Sequence, residues 1–396
     1  MKPDAWGLVA EPDRGADTGA PWRPAGPASG WLFGHPFLAG FECSTHRRRD
    51  GVRLDVARGA RHDAFAATDY ALAFAHGMRT ARDGLRWHLI ETAPGLYDWS
   101  SWTPMVEAAD ATGIRVIWDL WHYGTPDDID IWSDSFVDRL VNFARAAARR
   151  HQTLSDRPPL WCPLNEMSFF AFIAGEVGDF HPYGLQRGHE LKRQLVRAGV
   201  QVARALREVD PRCRLLWAEP LIHIAPVTLG EIDVRAARDA NLTQYQAFDM
   251  IAGRMDAELG GSPDLLDIVG CNFYPHNQWR QHGATLPLGH HDYRPLSDML
   301  HETWARYGRP VIVAETGAEG SARAPWLHYV CQEVAEAREA GADIGGICLY
   351  PVTSYPGWDD DRPCSTGLFG AVDGMGRRGL YRPLVEELAR QTDRLS

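Results

Sequence analysis

The sequence predicts a single (β/α)8 barrel. Eight short apolar runs alternate with eight segments of helical period. The runs are continuous rather than alternating, as strands buried on both faces are. No linker splits the chain, and the first strand–helix unit carries no Gly-rich phosphate turn, which argues against an open dinucleotide-binding sheet.

Residues 1–36 are rich in Pro, Gly and Asp and show no periodicity. They read as an irregular N-terminal arm, leaving 37–396 for the barrel. The first unit joins a strand at 37–41 to a helix at 64–77. The second runs from a strand at 80–87 to a helix at 102–111. The third pairs 115–120 with 135–150, and the fourth 160–164 with 190–209. The fifth pairs 214–218 with 245–258, and the sixth 268–273 with 297–307. The seventh pairs 310–314 with 326–340, and the last 345–349 with 383–394. Long βα segments at 167–188, 219–241 and 353–381 decorate one end.

Composition narrows the function classes. The 396 residues carry a net charge of -11, so no basic face is available for nucleic acid. No apolar run is long enough to span a bilayer, and the N-terminus lacks the apolar core of a signal peptide. A cytoplasmic protein is expected. The seven cysteines are odd in number and form no C-x-x-C pair. They read as buried free thiols, not as disulfides or a zinc site. His290 and His291 lack a third ligand at helical spacing, and Asp127, Asp128 and Asp130 lack calcium-loop spacing. No metal and no cofactor are expected, and a homo-oligomer stays open. The 15 tryptophans are a marked excess.

Barrel chemistry is built at the C-terminal ends of the strands. The residues there are Glu42, then Arg86, Trp87 and His88, then Trp121, His122 and Tyr123. Strand four ends in Asn165 and Glu166, and strand five in Glu219. Strand six carries Asn272 and Tyr274, strand seven ends in Glu315, and strand eight in Tyr350. Two carboxylates across such a mouth can cleave a glycosidic bond, one as acid and one as nucleophile. The acid needs a raised pKa and the nucleophile a lowered one. Glu166 and Glu315 stand nearly opposite each other in an eightfold barrel. Either one alone could equally be a salt-bridge partner. Glu42 divides evenly between ligand and salt bridge, and Glu219 reads as structural.

These segments resemble the glycoside hydrolases of clan A, and family 1, the β-glucosidase family, in particular. Trp161-Cys162-Pro163-Leu164-Asn165-Glu166 is similar to the family's acid/base signature, with Met167 where Pro is usual. Val313-Ala314-Glu315-Thr316-Gly317 is similar to its nucleophile signature. Leu120 through Pro126 resembles its strand-three segment, which places His122 on a sugar-binding His. The resemblance implies that Arg86 and Tyr274 support the nucleophile. It implies that Asn165, Asn272, His122 and Glu42 bind sugar hydroxyls. Tyr350 and Trp358 have the spacing of the family's two strand-eight tryptophans. Trp121, Trp161 and Trp358 are candidates for stacking on sugar faces. Gly357 stands where the family has a Glu, and Asp359, Asp360 and Asp361 follow it. Asp359 is a candidate reader of an amino or otherwise cationic sugar, or simply solvated. His46 or Arg47 falls near the place of the family's strand-one Gln.

The implied activity is that of a retaining, exo-acting β-glycosidase with non-standard sugar specificity, acting on a small glycoside or oligosaccharide. A transglycosylase on the same scaffold, another clan A hydrolase, and a non-catalytic carbohydrate-binding barrel remain the alternatives.

Overall fold

The computed structural model describes residues 30–358 and 361–396. Eight strands close into a parallel barrel. They are β1 (Phe37–Gly40), β2 (Thr80–Gly84), β3 (Arg115–Asp119), β4 (Leu160–Cys162), β5 (Arg214–Pro220), β6 (Ile268–Asn272), β7 (Val311–Thr316) and β8 (Ile344–Leu349). Each pairs with the next in sequence, and β8 closes on β1 through Phe37–Ile347 and Leu38–Cys348. The main helices are α1 (His62–Ala75), α2 (Thr103–Thr112), α3 (Asp134–Leu154), α4 (Gly188–Val209), α5 (Gln246–Ile251), α6 (Leu296–Tyr307), α7 (Arg323–Glu339) and α8 (Arg382–Leu395). The predicted (β/α)8 barrel is the observed fold. The expected arm at 1–36 lies outside the described residues up to 29.

Strand alternation divides the apolar side chains between two cores. Leu38, Ile117, Leu160, Cys162, Leu216, Ile268 and Ile312 fill the barrel interior. Their neighbours Trp118, Trp161 and Trp217 point outward into the layer beneath the helices. Trp161 therefore packs against Trp102 and His151, at centroid distances of 6.1 and 5.9 Å, and does not face the mouth. This corrects its assignment as a sugar-stacking ring. One residue of register decides which face a side chain takes. The helices supply the matching stripe. In α3, Phe136, Leu140, Phe143, Ala144 and Ala147 recur at helical spacing and are buried. α2 ends at Gly113, whose φ of 84° closes the helix in the left-handed region that glycine adopts freely.

Phe33 packs with the interior cluster, and Leu32 N–H donates to Gly345 O at the start of β8. This lead-in segment plugs the end opposite the site. The long βα segments carry small pieces of structure. His223–Ala225 pairs in parallel with Gln278–Arg280. Phe369–Val372 and Arg378–Leu380 form an antiparallel hairpin. Met167–Phe170 opens a helical turn that starts directly at Glu166. No helix among the described residues is long and apolar enough to cross a membrane.

Candidate active site

Glu315 lies on β7 and is 5% exposed. Its Oε1 accepts from Arg82 Nη1 at 2.7 Å, and its Oε2 accepts from Tyr274 OH at 2.9 Å. Arg82 is an inward-facing residue in the middle of β2, wholly buried, and it forks onto Asp119 at 2.9 and 2.8 Å. A buried guanidinium between two carboxylates is the arrangement that lets all three stay charged in a dry interior.

Arg86, the residue expected to brace the nucleophile, does not reach it. Its Nη1 lies 3.1 Å from both Asp55 and Asp63. β2 ends at Gly84, two residues before Arg86, and a short helical turn begins at Trp87. Arg82 lies within β2 and not at its end. The available signal was a charged residue inside a strand of a parallel barrel, which cannot be solvated there and must be paired.

Glu166 lies beyond the end of β4, after Pro163, Leu164 and Asn165, and its backbone sits in the left-handed region with φ 43°. Its N–H is tied to Ala218 O on β5 at 2.9 Å. Both carboxyl oxygens accept hydrogen bonds, Oε1 from Asn272 Nδ2 at 2.8 Å and Oε2 from Tyr123 OH at 2.6 Å. Burial, and then the charge of Glu315, raise its pKa to about 8. Burial also raises Glu315 above the ordinary carboxylate value, but Arg82 pulls it back. The expected lowering of Glu315 is thus not reached, because burial outweighs the guanidinium. A guanidinium faces Glu315, whereas Glu166 has only neutral donors, so the charged form is the more favoured at Glu315.

His122 joins the cluster around Arg82 through Asp119 and Asn165. Its Nδ1 lies 3.0 Å from Asp119 Oδ2 and 3.2 Å from Cys43 Sγ. Its Nε2 lies 3.0 Å from Asn165 Nδ2 and 3.9 Å from Glu42 Oε1. Asn165 Oδ1 accepts from Arg82 Nη2. Glu42 is 5% exposed and accepts the N–H of Ser44 at 2.9 Å, so it belongs to the same buried cluster. Asp119 is held below the ordinary carboxylate range. Burial opposes this, but Arg82 and His122 together outweigh it.

Aromatic rings form the rest of the wall. Trp358 is half-buried and lies 5.8 Å from Tyr123 and 5.2 Å from His46. Trp121 is 1% exposed and meets Phe170 edge-on at 4.9 Å. It is packed within the wall rather than presenting an open face. Tyr350 turns into the barrel interior, with the Arg82 guanidinium 5.4 Å from its ring. His46 was only loosely placed by sequence. It is buried and stacks on Phe180 at 4.0 Å, and burial depresses its pKa to about 3, so it is neutral. Asp359 lies outside the described residues. Glu219 accepts the N–H of Ser168 at 3.0 Å and so fixes the turn that follows Glu166.

Two groups of ligand-type atoms lie close together among the described residues. Cys43, Asp119 and His122 are one, but Arg82 already neutralises Asp119, so a cation there would meet a guanidinium. His290, His291 and Asp292 are the other, and Asp292 pairs with Arg280.

No family model and no curated protein sequence matches the chain. Solved structures do. A β-glucosidase from Thermotoga maritima in complex with glucoimidazole superposes with a TM-score of 0.76 at 14% identity, covering 92% of this chain and all of that one. A hyperthermophilic β-glucosidase mutant, dodecameric in its crystal form, gives 0.71 at 16% identity over 89% and 99%. The AHE enzyme from Alicyclobacillus herbarius gives 0.73 at 16% identity over 90% and 98%. The chain therefore shares the (β/α)8 barrel fold of these structures along nearly its whole length.

Proposed function

We propose that the chain is a retaining, exo-acting β-glycosidase whose sugar specificity departs from that of ordinary β-glucosidases. The observation that carries this reading is the buried pair Glu166, in the segment after β4, and Glu315, on β7, each held by a different set of donors. The folds it resembles belong to β-glucosidases, which supports the same reading.

In this mechanism Glu315 attacks the anomeric carbon, and the bond to the leaving oxygen breaks. Glu166 gives its proton to that oxygen. The ionised Glu166 then takes a proton from water, whose oxygen displaces Glu315 and releases the sugar. Arg82 and Tyr274 keep a charge-stabilising grip on Glu315 throughout. His122, Asn165, Asn272 and Glu42 are polar groups for sugar hydroxyls, and Trp358 is the ring best placed for a sugar face. Gly357 in place of a carboxylate leaves the outer edge of the site differently furnished.

A panel of aryl β-glycosides tests the reading. Glu315→Ala should lose at least about a thousandfold in kcat with the fold intact. NMR of the first-formed anomer should show retention. Wild-type-like turnover in Glu315→Ala, or an inverted product, would sink the mechanism. Sugar binding without hydrolysis across the panel would favour a non-catalytic barrel.

A further inference from the structure

An unbroken run of hydrogen bonds joins the two carboxylates. Glu315 Oε1 accepts from Arg82, and Arg82 Nη2 donates to Asn165 Oδ1. Asn165 Nδ2 donates to Tyr123 OH at 3.1 Å, and Tyr123 OH donates to Glu166 Oε2 at 2.6 Å. Arg82 sets the polarity of the whole run. A guanidinium has only donors, so the oxygen of the Asn165 amide must face it. The NH2 of Asn165 then faces both His122 Nε2 and Tyr123. In the neutral His122 ring Nε2 is then the acceptor, which puts the ring proton on Nδ1 toward Asp119. The Tyr123 oxygen accepts from Asn165, so its single proton goes to Glu166.

We propose that Tyr123 is a positioning residue that keeps Glu166 Oε2 an acceptor, so that the proton Glu166 donates is carried on Oε1. A proton on Oε2 would have to point at Tyr123. The Tyr123 hydroxyl hydrogen would then need another acceptor, yet its ring is 3% exposed and walled by Phe170, Trp121 and Trp358. A buried donor without an acceptor is costly. Oε1 has no such obstacle. It faces the Asn272 amide, whose Oδ1 is buried and without a partner. Turning that amide over offers an acceptor to Oε1–H, so Asn272 can serve either protonation state. Tyr123 can serve only the ionised one. Its backbone points the same way. Tyr123 has φ 70°, a left-handed conformation that a bulky residue holds only when its surroundings impose it.

Other titratable groups facing Glu166 are Glu315 on β7, Glu219 at the end of β5, and the hydroxyl of Tyr274. The two glutamates raise its pKa, while Tyr123 and Asn272 hold it down. The catalytic meaning of this rests on the glycosidase reading, but the bond polarity does not.

Tyr123→Phe removes the hydroxyl and keeps the ring. The measurement is the 13C carboxyl titration of glutamate-labelled protein, with Glu166→Gln to identify the resonance. The Glu166 midpoint should rise by about one pH unit in Tyr123→Phe. With 3-fluorotyrosine at position 123, a more acidic donor, it should fall. The alkaline limb of kcat/KM on any hydrolysed aryl β-glycoside should move in parallel. A midpoint fixed to within about 0.2 unit in both proteins overturns the proposal. If the midpoint moves but no glycoside is hydrolysed, the glycosidase reading falls and the role of Tyr123 stands. If hydrolysis proceeds and neither measurement moves, the reverse holds.

Discussion

The guanidinium of Arg82 touches Glu315, Asp119 and Asn165 at once, so the electrostatics of the site hinge on one side chain inside β2. Lysine would preserve the charge but not the fork. Arg82→Lys should lower kcat/KM at least about tenfold and raise the acid limb of the pH profile, because Glu315 loses part of what holds it ionised. Arg86→Lys should leave that profile unmoved. Its partners are Asp55 and Asp63, not Glu315. Steady-state kinetics across pH on both variants separates the two arginines, and equal effects would refute the distinction. At this scale the carboxylate positions were legible in the sequence, since Glu166 and Glu315 end apolar runs. Arg82 and Tyr123 were not assigned roles, because their importance comes from partners more than thirty residues away.

At the scale of elements, the outer face of β2 carries a second buried ionic cluster. His62 on α1 bonds Asp69 through Nδ1 and Asp83 through Nε2, both at 2.7 Å. Tyr70 also donates to Asp83, and Arg378 from the 369–380 hairpin donates to Asp69. The cluster thus ties α1, β2 and the last hairpin together. Burial disfavours the imidazolium, but Asp83 and Asp69 overcome this and raise the His62 pKa to about 9. The folded value exceeds the ordinary 6.5, so protonation stabilises the native state. That contribution, about 3 kcal/mol at most, is full below pH 6.5 and is lost as pH rises through about 9. Urea midpoints of the wild type should therefore fall between pH 7 and pH 10. The fall should be much smaller in His62→Gln, and an identical fall would refute the coupling. The same strand shows why element boundaries misled. Thr80–Gly84 is a strand of five residues, and the apolar residues after it belong to a helical turn. Hydrophobicity marks burial but does not distinguish the end of a strand from the turn beyond it.

At the scale of the molecule, the tryptophan excess is divided between two jobs. Trp87, Trp102, Trp118, Trp161 and Trp217 lie in the layer between strands and helices, each under 3% exposed. Truncating any of them to Ala would cost about 3–5 kcal/mol. Trp358 alone among the candidates is half-buried at the wall of the site. Its intrinsic fluorescence should therefore respond to a sugar mimic such as deoxynojirimycin, while the packed rings should not. A titration that changes emission equally in wild type and Trp358→Phe would show that the responding ring lies elsewhere.

Local pattern in the amino-acid sequence carries the eight-unit alternation, the buried parallel strands and the apolar runs that lead to Glu166 and Glu315. Those features follow from burial and local period, which each segment expresses alone. Tertiary contacts alone set which tryptophan reaches the mouth, which arginine holds Glu315 and which hydroxyl holds Glu166. Trp161 and Arg82 both sit in barrel strands, yet one faces the helices and the other the interior. Strand register and barrel closure set that choice. Both depend on contacts between residues distant in sequence, so no local window of the chain contains the answer.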